Sequence, residues 1–316
     1  MLAIASIPLQ AAALQTAQAE REIDGNTDAE PDPEDASSAS STIEFDVTAS
    51  APITTVKING KETRFALDPL LGPYVTINPF TNERLKIEAI WEDAMTARVD
   101  EAQIKGGLGM ARVKIGSLTQ TVPAVLIRRA HFPSTQREDY DVAGGFEALP
   151  GTRVIVHLNR NVKGPLRRIH FARRRTDSRP GFPIEIVESP MRLNVQFVSS
   201  TTWLEHRAAQ PLIDEGLVRP TGDISVLPVW YGLDMPVQRL EPLKAINLRG
   251  IPLKDLEART NEPLSMPSPD ANVIIVQAWK DIKGPPSILL GKDSLKDCAR
   301  LEFDQRRRRL TLFCPK

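Results

Sequence analysis

The chain has 316 residues, 41% of them hydrophobic, and its 40 basic residues are balanced by 40 acidic ones. That length allows two domains of ordinary size, and the balanced charge leaves no global field to draw the chain to nucleic acid or an anionic membrane. With 26 prolines and 5% aromatic residues, many short strands and turns are expected rather than a helical bundle, and no apolar run reaches the ~18 residues of a membrane helix.

Residues 2–14 are apolar and Ala-rich, and Ala17-Gln18-Ala19 is an A-x-A site followed by Glu20-Arg21. No Lys or Arg precedes the apolar run. The pattern predicts a signal peptide over 1–19 and an exported chain, periplasmic or extracellular. Residues 20–42 (EREIDGNTDAEPDPEDASSASST) are acidic and Ser-rich. So few apolar groups cannot offset the entropy of ordering, which predicts a disordered spacer.

From residue 43 the pattern becomes that of a β-protein. Residues 43–47 alternate apolar and acidic, and 53–58 (ITTVKI) lead into Asn59-Gly60, a strong hairpin signal because both residues accept positive φ. A strand over 63–67 returns the chain and ends at Asp68. Pro69 to Pro73 bend it, 74–77 extend again, and Asn78-Pro79 supply an N-cap and a first helical residue. Residues 85–91 and 97–104 read as further strands or mixed pieces, Gly106-Gly107-Leu108-Gly109 as a hinge or turn, and 110–115 with 122–127 as a hairpin about Gly116-Ser117. An apolar-Gly strand is expected within 140–149, and 153–158 with 169–172 should then pair as a hairpin. The boundary between two halves falls near 173–179, rich in Arg.

The second half repeats the plan. Residues 191–197 alternate as a strand, the loop 198–203 (VSSTTW) follows, and 204–216 read as a helix ending at Gly216. Strands are expected over 226–231, 235–240, 243–248 and 273–279. Residues 287–290 (SILL) then run into Gly291 and a short helix. A terminal hairpin turns about Arg306-Arg307 and sets Cys298 and Cys314 nearly opposite. In an exported chain that predicts a disulfide; in a reducing compartment, two thiols in a sheet.

The hairpin closed by Asn59-Gly60, the strand ending at Asp68, the strand and helix after it, and the apolar-Gly strands near Gly144 and Gly291 resemble the aspartic protease superfamily of retropepsins and pepsins. The resemblance implies a mainly β fold of two tandem acid-protease β-barrel lobes, over 43–175 and 180–316. It also implies a catalytic Asp68, with Pro69, Leu70, Val198, Ser199, Ser200 and Thr201 lining the cleft between the lobes. In that family the motif reads Asp-Thr-Gly, whereas here it is Asp68-Pro69-Leu70. The second half has no acidic residue between Met191 and Leu204.

Aspartic proteolysis needs two carboxylates, one protonated and one ionised, holding a water between them. The four histidines show no metal spacing, and neither a nucleophile elbow, a phosphate loop nor any other cofactor motif occurs. No metal or cofactor is expected. Three functions stay open. The chain is an inactive aspartic-protease-like protein binding a peptide or protein in its cleft, an active aspartic endopeptidase with an unidentified second acid, or a structural β-protein of the envelope.

Overall fold

The computed structural model describes residues 41–47, 51–99, 102–127, 140–174, 177, 181–197, 199–228, 234–260 and 284–316. The first half contains β1 (Thr42–Asp46), β2 (Ile53–Ile58), β3 (Lys61–Leu67), β4 (Val75–Ile77), α1 (Pro79–Leu85) and β5 (Trp91–Val99). β6 (Ala102–Ile115), β7 (Leu118–Ile127), β8 (Val142–Gly144), β9 (Arg153–His157) and β10 (Leu166–Ala172) follow. The second half begins with β11 (Phe182–Ile186), β12 (Ser189–Val195), β13 (Thr202–Glu205), α2 (His206–Asp214), β14 (Val218–Pro228) and β15 (Asp234–Pro242). It ends with β16 (Asn247–Leu248), β17 (Ile251–Pro252), β18 (Leu256–Arg259), β19 (Ser287–Leu290), α3 (Lys292–Leu295), β20 (Arg300–Asp304) and β21 (Arg309–Pro315). The chain is mainly β.

One seven-stranded sheet has the order β2-β3-β8-β4-β7-β6-β5, and β2 also pairs with β6, closing six of these strands into a barrel. A second seven-stranded sheet has the order β11-β12-β19-β13-β18-β15-β14. Taken in order, the two share every orientation. The first hairpin is antiparallel, β3–β8 and β12–β19 are parallel, and β4–β8 and β13–β19 antiparallel. β4–β7 and β13–β18 are parallel, and the last two pairings of each sheet antiparallel.

Local chemistry sets much of this. Asn59 and Gly60 both have positive φ, 49° and 83°, the two-residue turn whose twist suits a hairpin. Gly116 (φ 57°) opens the equally short β6–β7 turn. Asn78 caps α1 by accepting the Thr81 N–H at 2.7 Å, with Pro79 first in the helix.

A five-stranded sheet, β1-β9-β20-β21-β10, takes strands from both ends of the chain. β9 and β10 do not pair as the expected hairpin of 153–158 with 169–172; the β20–β21 hairpin lies between them. The reason is burial. Leu301, Phe303, Leu310 and Leu312 point inward and are at most 1% exposed, and inserting their hairpin packs them beside Val154, Val156, Ile169 and Phe171. Phe303 stacks on Phe146 at 4.8 Å and meets Phe182 edge-on at 6.3 Å. Its ring thus joins the three sheets into one core, with each aromatic pair contributing about 0.5–1.5 kcal/mol beyond its buried area. Cys298 and Cys314 are bonded, as the facing positions in the hairpin predict.

Other expectations are corrected. Gly106 to Gly109 form no turn but run inside β6. A Cβ on Gly107 would lie 2.8 Å from that of Ala89, and one on Gly109 2.6 Å from the Glu88 carbonyl. These glycines serve close approach, not chain reversal. Residues 86–90 are not strand, and 97–104 span the change from β5 to β6. Leu204 belongs to β13, so α2 starts at His206, and of 243–248 only Asn247–Leu248 is strand. The strand expected over 273–279 lies outside the described residues, as do residues 1–40 and 229–231.

Candidate functional site

β3 delivers Asp68. The strand ends there because the Asp68 N–H donates to the Gly144 carbonyl at 2.8 Å, the last rung between β3 and β8. Asp68 Oδ1 accepts the Leu70 N–H at 3.0 Å and caps a 3-10 turn over Pro69–Leu71. Pro69 fits because the first residue of such a turn needs no N–H partner. Leu70 fits because the left-handed backbone is deferred to Gly72, at φ 57°. Asp68 is 7% exposed, a burial that a carboxylate tolerates only when hydrogen-bonded.

The pairing register identifies the counterpart in the second sheet. Leu67 pairs with Gly144, and Val195 pairs with Leu290. The next residue after Leu67 is Asp68; the next after Val195 is Gln196, whose N–H donates to the Leu290 carbonyl at 2.9 Å. Gln196 therefore holds the position of Asp68. The loop expected from Val198 onward begins two residues earlier. Gln196 is 3% exposed, and its Nε2 donates to the Thr201 carbonyl at 2.9 Å. A glutamine in an alternating strand, MRLNVQF, carries no signal of this role; the register was needed to find it.

Val198 lies outside the described residues. Ser199 Oγ accepts the Thr201 N–H at 3.1 Å, while the Ser199 and Ser200 carbonyls each accept, at 3.0 Å, an N–H from the first turn of α3. Thr202 Oγ1 bonds Ser294 Oγ at 2.9 Å and accepts the Gly291 N–H at 3.1 Å. Both loops are crossed by a glycine. A Cβ on Gly145 would lie 2.0 Å from the Gly72 carbonyl oxygen, and one on Gly291 2.2 Å from that of Thr201. Only glycine lets these backbones touch.

The Pro69–Leu71 turn lies against β12, the strand that leads into the Gln196 loop. A crevice of about 360 Å³, its open mouth included, is lined by Pro69, Gly72, Glu147, Arg173, Asn194 and Val195 among others. Of the residues expected to line a cleft it takes in Pro69, whereas Leu70, Ser199, Ser200 and Thr201 are not in its lining. Arg173 pairs with Glu147 there, and Arg192 pairs with Asp177 while donating to the Gly181 carbonyl at 2.6 Å. Burial first, then the charges of Arg308 and Arg192, lower the Arg173 pKa to about 10, against an opposing pull from Asp177.

The arrangement offers one carboxylate and one carboxamide at corresponding positions. Glu205, at the end of β13, has its pKa raised by burial and packs by Arg207 at 3.6 Å. Asp214 ends α2 and Asp223 lies in β14, away from the Gln196 loop in sequence and sheet order. Among the described residues no three His, Cys, Asp or Glu side chains converge as metal ligands. No helix among them is long and apolar enough to cross a membrane.

No family model matches the chain. No curated protein matches it either. Among solved structures 84 chains match. One is the crystal structure of the retroviral protease-like domain of Ddi1 from Leishmania major, with 14% identity and a TM-score of 0.23, covering 32% of this chain and 75% of that one. A TM-score so low is a similarity without an assignment, and the sheet register remains the ground for comparing the two loops.

Proposed function

We propose that this chain is a catalytically silent relative of the aspartic proteases, with two lobes of acid-protease type. The loops at Asp68 and Gln196 then hold an extended peptide or protein segment between them. The carrying observation is the matched register of Asp68 and Gln196. Hydrolysis by the family's route needs a shared proton between two carboxylates. A carboxamide neither ionises nor takes up a proton near neutral pH, so the pair can donate and accept hydrogen bonds but cannot activate a water. Peptide main chain, with its alternating N–H and C=O groups, is the ligand such a pair suits.

The test is digestion of a peptide library from acid to neutral pH, with retention of uncut peptides measured in parallel. No cleavage by the native chain or by Asp68→Ala, with peptide binding weakened in Asp68→Ala, supports the reading. Cleavage that pepstatin blocks and Asp68→Ala abolishes would restore an active endopeptidase. Folded protein that retains no peptide at any pH would leave a structural role.

Export belongs to the same proposal. The apolar 2–14 run with Ala17-Gln18-Ala19 supports it, and the Cys298–Cys314 bond fits an oxidising compartment. N-terminal sequencing of the mature protein should begin near Glu20; an intact Met1 would refute it.

A further inference from the structure

The 40 basic and 40 acidic residues of the chain cancel, but on the five-stranded sheet they are sorted. β10 (LRRIHFA), β21 (RLTLFCP) and the 305–308 turn (QRRR) contain no Asp or Glu. Alternation and register put Arg168, His170, Arg309, Thr311 and Phe313 on the outer face, opposite the buried Ile169, Phe171, Leu310 and Leu312. Two guanidiniums cover the Phe313 ring, Arg168 at 5.7 Å and Arg300 at 4.1 Å from its centre, and leave it 7% exposed. Arg168, Arg306 and Arg309 have no ion pair among the described residues. Arg309 Nε is shielded from water without an acceptor. Burial first, then the charges of Arg309 and Arg168, lower the His170 pKa, the response of a titratable group to a positive surface.

The excess charge has a shape. Carboxylates on the rest of that face are matched: Glu302 by Arg300, Asp304 by Arg307, Glu44 by His157 and Asp46 by Arg160. The unmatched cations therefore form a track two strands wide, about 10 Å. Arg168 stands opposite Phe313, and from there to Arg309 is four residues, roughly 13 Å of strand. The track then continues into the turn at Arg306.

That shape selects among polyanions. A flat anionic bilayer would meet the charge-matched half of the face as fully as the track. A nucleic acid strand binds through exposed rings that its bases stack on, and Phe313 is covered. An acidic peptide gains most by adding to a sheet as a further strand, but the β16–β17 turn is already bonded to β10. There Arg249 donates to the His170 carbonyl, and Arg167 donates to the Gly250 carbonyl at 2.6 Å. A linear chain that brings only its anions needs neither rings nor a strand edge.

We propose that the track along β10, β21 and the 305–308 turn binds an anionic polysaccharide, a linear glycan bearing sulfate or carboxylate groups. Guanidiniums present forked N–H donors that match such groups two bonds at a time. Arg168, Arg309 and Arg306 take successive charges of the glycan, with His170 between the first two. The proposal does not rest on the loops at Asp68 and Gln196, since every residue it uses lies on this sheet or its turn.

The experiment uses the full chain, with a short heparin oligosaccharide as probe and calorimetry at about 0.1 M salt. The native chain should bind, with an affinity that falls steeply as salt is added. Arg168→Ser, Arg306→Ser and Arg309→Ser together should weaken binding at least ~10-fold. Lys57→Ser, Arg112→Ser and Lys114→Ser remove three exposed cations of the first sheet instead. That control lowers the net charge equally and should change the affinity less than ~2-fold. Equal weakening by the two triples would reduce the effect to net charge and overturn the proposal, as would a native chain that does not bind. A second readout needs no variant. The charged groups around the His170 ring are Arg168 on its own strand, Arg309 on β21, Glu302 beyond Thr311 and Arg249 of the β16–β17 turn. A bound anion offsets the guanidiniums, so proton NMR should show the His170 pKa rising at saturating heparin. An unchanged His170 titration would overturn the site. Anionic vesicles or polyglutamate that bound the native chain more tightly than heparin would overturn the choice of glycan.

Discussion

Asp68 and Gln196 occupy the same rung of two sheets that share one strand order: each closes its strand by donating its N–H to the residue paired one step earlier, Gly144 at 2.8 Å and Leu290 at 2.9 Å. The chemical asymmetry at that shared position is the feature from which the first prediction comes.

Gln196→Glu replaces an N–H donor to the Thr201 carbonyl with a carboxylate facing it. The buried hydrogen bond becomes a repulsion, costing about 1–3 kcal/mol at neutral pH. Burial and the carbonyl raise the folded pKa of the new acid above its unfolded value. The folded state then binds more protons across that window, so stability falls as pH rises through it and is regained in acid. Chemical denaturation of variant and native chains at pH about 4 and 7 checks this; a constant difference at both would contradict it.

Gly291→Ala should be among the most damaging single methyl additions in the chain. The new Cβ meets the Thr201 carbonyl oxygen at 2.2 Å and that of Ser200 at 2.4 Å, and backbone cannot swing aside as a side chain does. A loss of about 3 kcal/mol is expected. Gly164→Ala is the control. It has open space around it, though its φ of 93° carries its own smaller strain. Melting of the two variants side by side decides whether the loop contact or glycine loss in general sets the cost.

Reducing the Cys298–Cys314 bond, which closes a separation of 16 residues, should lower stability by about 3 kcal/mol. Because β20 and β21 sit in the middle of the shared sheet, that loss should appear in one cooperative transition. A separate early transition confined to the last 20 or so residues, seen by hydrogen exchange, would show the hairpin to be an independent unit.

Glu205 has a folded pKa raised by burial. The folded state therefore holds its proton more tightly than the unfolded chain, and stability is lost as pH rises from the ordinary carboxylate range upward. Glu205→Gln removes that titration and should flatten the stability profile between mildly acid and neutral pH. A profile unchanged in shape would mean that Arg207 compensates the burial in full.

Elements whose causes lie within a few residues are legible in the amino-acid order. Asn59, Gly60 and Gly116 specify their turns through positive φ, Asn78-Pro79 starts α1 through its cap, and the apolar run ending at Gly291 marks a buried strand. The cysteine bond was legible for the same reason, since one short hairpin aligns both thiols. Long-range pairing was decided only by the tertiary structure. The insertion of β20–β21 between β9 and β10 depends on four large side chains finding a common core across more than 130 residues of chain, and no local pattern records it. The crowded glycines of β6 looked like a turn because close approach between strands leaves the same mark in sequence as chain reversal. Gln196 was hidden most completely. A glutamine in an alternating strand is ordinary, and only hydrogen-bond register, a property of two strands together, sets it opposite Asp68.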